Sequence, residues 1–298
     1  MISSEHGVSF IVPAYNEEQG ISATIKGLDS SLKEANIDYE IIVVNDGSTD
    51  QTHEKAKIFK DITLISHPIN AGYGRSIKTG ISNSKYNWIG IIDADGTYPI
   101  DMVPQLIQKM TIGFDMVIAE RKNLDTHDSF LKSFFRKIYK TIVKVAFHAD
   151  LKDPNSGLRI FSKNIAMIHF PFLCDTFSFT TSLTVLFYGR GAFIGHVPIT
   201  YKTRFGKSKV RNIRDSITTI LLIIQGLTFY NPILFFSLLS IGIIFAVCIP
   251  AMFLALFGMH TLSLYYMVFG SLISILFAFG VLVDAVRISS VKDDHRII

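Results

Sequence analysis

The 298-residue chain has no Asp, Glu, Lys or Arg between Asn231 and Gly258, and none between Leu262 and Val283. Each uncharged run is long enough to cross a hydrocarbon core, which takes roughly 20 helical residues, so a uniformly water-exposed chain is excluded. Cysteine is scarce as well. Cys174 and Cys248 are the only two, the second inside the first uncharged run and the first well before it, which excludes a disulfide-stapled scaffold and suits a reducing compartment. No secretory signal is expected, because Met1–Gly7 is polar and the apolar run Val8–Val12 is too short for an h-region. The glycine-rich turn of a dinucleotide-binding dehydrogenase is missing after that run, where Pro13-Ala14-Tyr15-Asn16-Glu17 stands instead. Gly206-Lys207-Ser208 is no P-loop either, since Tyr201 occupies the position that would need glycine.

Only Met259, His260 and Thr261 separate the two uncharged runs, so the spacing predicts a transmembrane helical hairpin over 231–283. Lys202, Arg204, Lys207, Lys209, Arg211 and Arg214 precede it, Arg287, Lys292 and Arg296 follow it, and the turn has no lysine or arginine. The positive-inside rule then predicts both ends in the cytoplasm. Basic residues beside a span read as attraction to anionic headgroups, so a bilayer is an expected partner and nucleic acid is not. The organisation expected is a cytoplasmic α/β domain over 1–214, a juxtamembrane amphipathic helix over 215–230, the hairpin, and a cytoplasmic tail over 284–298. Within the domain, the stripe Leu131, Phe134, Phe135, Ile138, Ile142 and Val145, ringed by Lys132, Arg136, Lys137, Lys140 and Lys144, fits a helix about 129–147 in a membrane interface. A surface helix packed on the domain has the same pattern.

Short Val- and Ile-rich runs at Val8–Val12, Glu40–Val44, Thr63–Ser66, Trp88–Ile92 and Asp115–Ala119 read as buried strands. Helical patterns lie between them at Glu17–Ala35, Thr49–Phe59, Gly74–Ser84 and Met102–Met110, and Ser48 with Gln51 resembles a capping box for the second. Alternating strands and helices predict a mostly parallel sheet covered on both faces. Ligands of such sheets sit at the carboxyl ends of the strands.

The polar clusters fall at those ends. Asp93-Ala94-Asp95 follows the fourth strand, and two carboxylates two residues apart can offer hard oxygen ligands to Mg²⁺ or Mn²⁺. Alone, the triplet is equally a turn. Asn45-Asp46-Gly47-Ser48 closes the second strand, and Asn70-Ala71-Gly72-Tyr73-Gly74 opens the third helix. Taken in order with Pro13–Glu17, these segments resemble family 2 glycosyltransferases of the GT-A fold, whose pattern is V-P-x-Y-N-E, V-x-D-G-S, N-x-G, D-x-D. The resemblance runs on through Asp153-Pro154-Asn155-Ser156-Gly157-Leu158-Arg159 and Tyr201–Lys209. With the apolar tail, the chain is most similar to polyprenyl-phosphate (dolichyl- or undecaprenyl-phosphate) glycosyltransferases. The only tryptophan, Trp88, lies in a strand, so the Q-x-x-R-W pattern of processive polysaccharide synthases is missing.

The resemblance implies transfer of one sugar from a nucleotide-diphosphate sugar to polyprenyl phosphate, with inversion and with Mg²⁺ or Mn²⁺. UDP-glucose and a bacterial inner membrane are the leading assignments. It implies that Pro13, Ala14, Tyr15, Glu17 and Gly72 line the nucleotide pocket, that Asp46 meets the base, and that Asp93 and Asp95 hold the metal beside Ala94. Arg121, Arg204 and Lys209 would meet the donor, and Arg121, Arg136 and Lys140 the acceptor phosphate. Asp95 and Arg204 would belong to the catalytic set. Asp153 would join them as a base or an orienting group, or would only cap its turn. Thr97 stands where many members have a glutamine that adds a metal contact, and Thr180 and Thr181 lie near the place of a further acidic residue. The alternatives are a glycosyltransferase acting on another membrane lipid or glycan acceptor, and a membrane-tethered sugar-nucleotide-binding subunit without activity, the latter separated by donor turnover; homo-oligomerisation is left open.

Overall fold

A computed structural model of the chain describes residues 7–122, 144, 152–168, 170, 173–201, 224, 225, 228 and 231–294. The chain divides into two compact units, Met1–Thr219 and Ile220–Ile298. The first is built on a seven-stranded sheet, in the order β3-β2-β1-β4-β6-β5-β7. The strands are β1 (Val8–Ala14), β2 (Tyr39–Asn45), β3 (Thr63–Ser66), β4 (Trp88–Ile91), β5 (Met116–Arg121), β6 (Arg159–Ser162) and β7 (Ile194–Ile199). All five expected strands are present, Thr63–Ser66 unchanged and the other four shifted by one or two residues at one or both ends. β1 to β4 pair in parallel, as do β5 and β7, whereas β6 runs antiparallel between β4 and β5.

Helix α1 (Ile21–Glu34) presents Ile21, Ile25, Leu28 and Leu32 as one buried stripe, the 3.6-residue periodicity of a core-facing helix. It starts four residues later than its periodicity suggests, because Glu17 closes a turn by accepting from the N–H groups of Gly20 and Ile21 at 3.1 and 3.0 Å. Helix α2 is also shorter than expected, spanning Thr52–Lys57. Helices α3 (Tyr73–Ser82) and α4 (Val103–Thr111) complete the crossovers of this half. Two buried clusters result. One joins α1 and α4 to Phe10, Val12, Val43 and Val117; the other joins α3 and the helix Phe179–Gly189 to Ile11, Ile42, Ile89 and Ile118. A sheet covered on both faces is what unbroken apolar strands require.

The second unit contains two helical stretches long and apolar enough to cross a membrane, Pro232–Leu256 and His260–Val283. Asn231 caps the first, its side chain accepting from Leu234 N–H. A π-helical turn at Ile244–Cys248 interrupts it just before Pro250. Proline cannot donate to the carbonyl four residues back. That carbonyl, on Ala246, instead accepts from Tyr266 Oη of the other helix at 3.1 Å, and Ser263 Oγ donates to Ala251 O at 2.7 Å. Gly270 lets the helices approach, since a Cβ there would lie 2.8 Å from Val247, the small-residue contact typical of apolar helix pairs.

Gly80 of α3 lies against β1, and a Cβ would sit 2.6 Å from Ile11 Cγ2 in a fully buried position. Overpacking of this kind costs about 1–3 kcal/mol, against about 1 kcal/mol gained when helical glycine becomes alanine. Gly80→Ala is therefore expected to destabilise the unit by up to about 2 kcal/mol. The single tryptophan, Trp88, gives the readout: a lower urea midpoint in its fluorescence.

Candidate active site

The carboxyl edge of the sheet begins with β1, which ends on Pro13-Ala14. Residues 11 and 13 point their backbone groups to the same side, toward β4, and that pairing stops at Ile11 opposite Ile91. Pro13 therefore forfeits no ladder bond. Beyond it, Asn16 adopts φ 52°, a left-handed conformation that asparagine tolerates better than most residues. The turn is fastened to the loop after β2. Asn16 N–H donates to Ser48 Oγ at 3.0 Å, Thr49 N–H to Asn16 Oδ1 at 2.7 Å, Glu17 N–H to Thr52 Oγ1 at 2.8 Å and Glu18 N–H to Asp50 Oδ2 at 3.2 Å. The expected capping box is not formed: Ser48 spends its hydroxyl on Asn16, thirty-two residues away. Helix α2 starts at Thr52, with Asp50 Oδ1 accepting from Thr52 N–H at 2.9 Å.

Asp46 is 3% exposed. Its Oδ1 accepts from Ala71 N–H at 2.9 Å and lies 2.7 Å from His67 Nδ1, while Oδ2 accepts from Gly72 N–H at 2.9 Å. The carboxylate thus ties the N-x-G segment to β2. Gly72 has φ 108°, and a Cβ there would meet Asp175 O at 2.7 Å, so glycine is required on both counts. His67 is held at its other end by Thr79, with Nε2 3.0 Å from Oγ1.

Asp93, Ala94 and Asp95 follow β4. Ala94 is buried in the core, and Asp95 is 4% exposed, its Oδ1 accepting from Thr97 Oγ1 at 2.6 Å and Thr97 N–H at 3.1 Å. Thr97, the departure from the family's glutamine, is therefore a support for Asp95. Asp93 Oδ1 accepts from Tyr73 Oη at 2.9 Å. Gly157 faces the same carboxylate so closely that a Cβ would fall 2.3 Å from Oδ2 and 2.7 Å from Oδ1.

Arg121, the last residue of β5, grips Asp153 with Nε to Oδ2 at 2.8 Å and an Nη to Oδ1 at 2.7 Å, while its own N–H adds a third bond at 3.0 Å. Both side chains are largely buried, and Asp153 holds φ 43°. The sequence suggested a base, an orienting group or a cap; the geometry is a bidentate ion pair that fixes the guanidinium. That guanidinium lies 5.1 Å from the centroid of the Tyr201 ring, which meets Tyr98 edge-on at 5.2 Å. Burial acts to lower the Arg121 pKa, but the Asp153 bonds outweigh it and the pKa is raised. Tyr73, Tyr98 and Tyr201 are pushed up, chiefly by burial, with the charge of Asp93 adding to each. They remain protonated phenols at neutral pH.

Arg159 is fully buried, and its five N–H donors are all engaged. Nε donates to Ser156 O, one Nη to Thr180 O and Thr184 Oγ1, and the other to Pro154 O and Ser156 O, at 2.6–3.0 Å. Burial lowers its pKa to about 10, which leaves it charged at neutral pH. Of the residues singled out in the sequence, the structure gathers Pro13–Glu17, Asp46 and Gly72 around the ends of β1 and β2, and Asp93, Asp95, Arg121 and Asp153 around the ends of β4 and β5. Arg136, Lys140, Arg204 and Lys209, all of 129–147 but residue 144, and most of 215–230 lie outside the described residues. Tyr73, His67, Tyr98 and the support given by Arg159 went unread. Tyr73 directly follows the N-x-G segment and Tyr98 stands three residues past the D-x-D segment, and that nearness was the available signal.

Among the described residues, no three His, Cys, Asp or Glu side chains converge as a metal cage. Two strand-end carboxylates nevertheless suit Mg²⁺ or Mn²⁺. Such ions are commonly bound through one or two carboxylates, with the remaining positions filled by water and substrate phosphate. The residues present fit such a cation.

Because Gly157 leaves no room beside Asp93, Gly157→Ala is expected to displace that carboxylate without unfolding the sheet. Were Asp93 to hold a cation, turnover should fall about tenfold or more, as disturbing a metal ligand's support usually does, with the thermal midpoint nearly unchanged. A fall in midpoint matching the loss of activity would instead indicate a purely structural role.

Among known proteins, the dolichyl-phosphate beta-glucosyltransferase ALG5C of Trichomonas vaginalis is 30% identical over 227 residues, 70% of this chain and 67% of that one. The undecaprenyl-phosphate 4-deoxy-4-formamido-L-arabinose transferase of Pseudomonas fluorescens is 30% identical over 165 residues, 54% of this chain and 48% of that one. The chain thus spans about half to two thirds of the length of these relatives. Glucosyl-3-phosphoglycerate synthase of Mycobacterium tuberculosis, solved with Mn²⁺, UDP-glucose and phosphoglyceric acid, superposes with a TM-score of 0.56 at 19% identity, covering 75% of this chain and 79% of that one. At that identity the likeness speaks for the fold, a GT-A-like α/β fold with a mostly parallel sheet. Residues 9–170 match the family described as Glycosyl transferase family 2, and the chain belongs to it.

Proposed function

We propose that this chain transfers a single sugar from a nucleotide-diphosphate sugar to a polyprenyl phosphate, with UDP-glucose as the first donor to test and with inversion at the anomeric carbon. The observation that carries the reading is the paired carboxylates Asp93 and Asp95 beside the Arg121–Asp153 pair at the carboxyl edge of the sheet. It is joined by two helical stretches long and apolar enough to span a membrane. The names of the relatives support the lipid-phosphate acceptor.

Electrostatics favours a divalent cation. Asp93, Asp95 and Asp153 contribute three negative charges and Arg121 one positive, so a diphosphate would approach a formal charge of −2 over these four residues. Asp93 and Asp95 would hold Mg²⁺ or Mn²⁺, which when bound neutralises charge on the diphosphate leaving group. Asp46, whose Oδ2 can accept a second bond, would receive a ring N–H of the base, and the Pro13–Glu17 turn would flank the nucleoside. Asp153 would keep Arg121 in the plane that suits phosphate oxygens.

In the reaction a phosphate oxygen of the lipid attacks the anomeric carbon as the bond to the nucleoside diphosphate breaks, and the diphosphate leaves with the electron pair. A phosphate monoester has a second pKa of about 6 and is already mostly dianionic at neutral pH, so no base is required. What this chain must supply is alignment and charge. Asp153 therefore acts as an orienting group. Arg204 and Lys209 would meet the donor diphosphate, and Arg136 and Lys140 would present cations to the lipid phosphate from a helix at headgroup level. We place the catalytic domain in the cytoplasm, at a bacterial inner membrane, with both chain ends on that side.

Asp95→Asn should abolish turnover while leaving the fold intact, and full activity in excess chelator would refute the cation assignment. Neutralising Arg136 and Lys140 together should raise the apparent KM for undecaprenyl phosphate, each lost charge-assisted contact costing about 1.5–3 kcal/mol, with nucleotide-sugar binding near the parent value. Equal use of an uncharged polyprenol would defeat the reading. For topology, a reporter fused after Ile298 should behave as cytoplasmic, and an opposite-side signal would reject the hairpin orientation.

A further inference from the structure

Asp93 is clamped from two sides by residues that do not themselves reach the sheet edge as charges. On one side Gly157 stands so near that no side-chain atom fits between its Cα and the carboxylate. On the other, Tyr73 Oη donates to Oδ1 at 2.9 Å. The phenol is itself fixed. Its ring stacks on Phe177 with centroids 5.5 Å apart and planes 14° apart. Its backbone opens α3 directly after Gly72, whose N–H is held by Asp46. A partly buried phenol needs only one acceptor, and a backbone carbonyl would serve. Here the acceptor is the carboxylate two residues from Asp95, in the cluster that includes Arg121.

We propose that Tyr73 is a positioning residue for Asp93: its hydroxyl sets the rotamer in which Asp93 offers its oxygens to a divalent cation. The proposal rests on the reading of Asp93 as a cation ligand given above. A carboxylate has about four lone-pair positions, and the bond from Tyr73 occupies one of them while restraining rotation. The same short segment, Asn70–Tyr73, is gripped by Asp46 at Ala71 and Gly72 and grips Asp93 through Tyr73. Orientation of the cation ligand is thus built on the loop that borders the nucleotide side of the edge.

The test is Mn²⁺ binding to the full chain in detergent with UDP present, read from the electron paramagnetic resonance signal of free Mn²⁺, so that no turnover is needed. Tyr73→Phe keeps the ring and its stacking and should weaken Mn²⁺ binding about tenfold or more, as loss of a supporting hydrogen bond to a ligand usually does. Transfer at saturating Mn²⁺ should recover most of the parent rate. Phe177→Leu, which leaves the hydroxyl in place, should hold Mn²⁺ affinity within about twofold. Asp93→Asn, measured alongside, should abolish tight binding. Unchanged affinity in Tyr73→Phe, with binding lost in Asp93→Asn, overturns the proposal alone. Equal weakening in Phe177→Leu also overturns it, because ring packing rather than the hydroxyl would then hold Asp93. Unchanged binding in Asp93→Asn removes the cation-ligand reading itself, and this proposal with it.

Discussion

The buried guanidinium of Arg159 is the constraint on which the rest of the site is assembled. Removing an ion of this size from water costs several kcal/mol even after relaxation. The five bonds it donates, at about 1.5–3 kcal/mol for each charge-assisted bond, are of the size needed to offset that cost, and only because none is wasted. Two of the acceptors are the carbonyls of Pro154 and Ser156, so the cation shapes the loop in which Asp153 and Gly157 stand. Lysine, with three donors and no planar fork, could not satisfy the same set. The loop then does two things at once: Asp153 meets Arg121, and Gly157 closes on Asp93.

The antiparallel strand explains how that loop arrives. A strand running with its neighbours would begin at the opposite edge of the sheet and bring its preceding loop there. β6 runs against β4 and β5, with Arg159 opposite both Ile91 and Ile118. Its amino end therefore lies beside the carboxyl ends of the two strands that carry Asp93 and Arg121. One reversed strand brings a third loop to an edge that parallel strands alone would have furnished only with their own carboxyl-terminal turns.

The five parallel crossover strands were legible because apolar runs bounded by turn residues leave few alternatives, and the D-x-D and N-x-G segments were legible as types of residue at strand ends. What could not be read was the destination of individual hydrogen bonds. Ser48 and Gln51 have the local spacing of a capping box, but Ser48 is captured by Asn16, and nothing local signals that. Asp153 and Arg121 are thirty-two residues apart, so a bidentate pair between them exists only once β5 and β6 lie side by side. The same holds for Tyr73 and Asp93, which meet because Asp46 fixes the loop between β3 and α3. Residue type at a strand end was visible in the sequence; partnership across strands required the sheet.

The same rule applies to the apolar unit, and a bilayer around it would make the rule stricter. In hydrocarbon every backbone group must find a partner within the protein, and Pro250 removes one donor from a helix long enough to span. The helix answers with a π-helical turn, and its neighbour answers with Tyr266, whose hydroxyl takes up the Ala246 carbonyl that Pro250 cannot reach. Ser263 likewise donates to Ala251 O in the same stretch. Close approach at Gly270 is what brings such side chains within reach, so a glycine on one helix and a proline on the other make sense only together. Uncharged length defines these helices in the sequence, but their pairing depends on a few polar atoms placed where the backbone falls short.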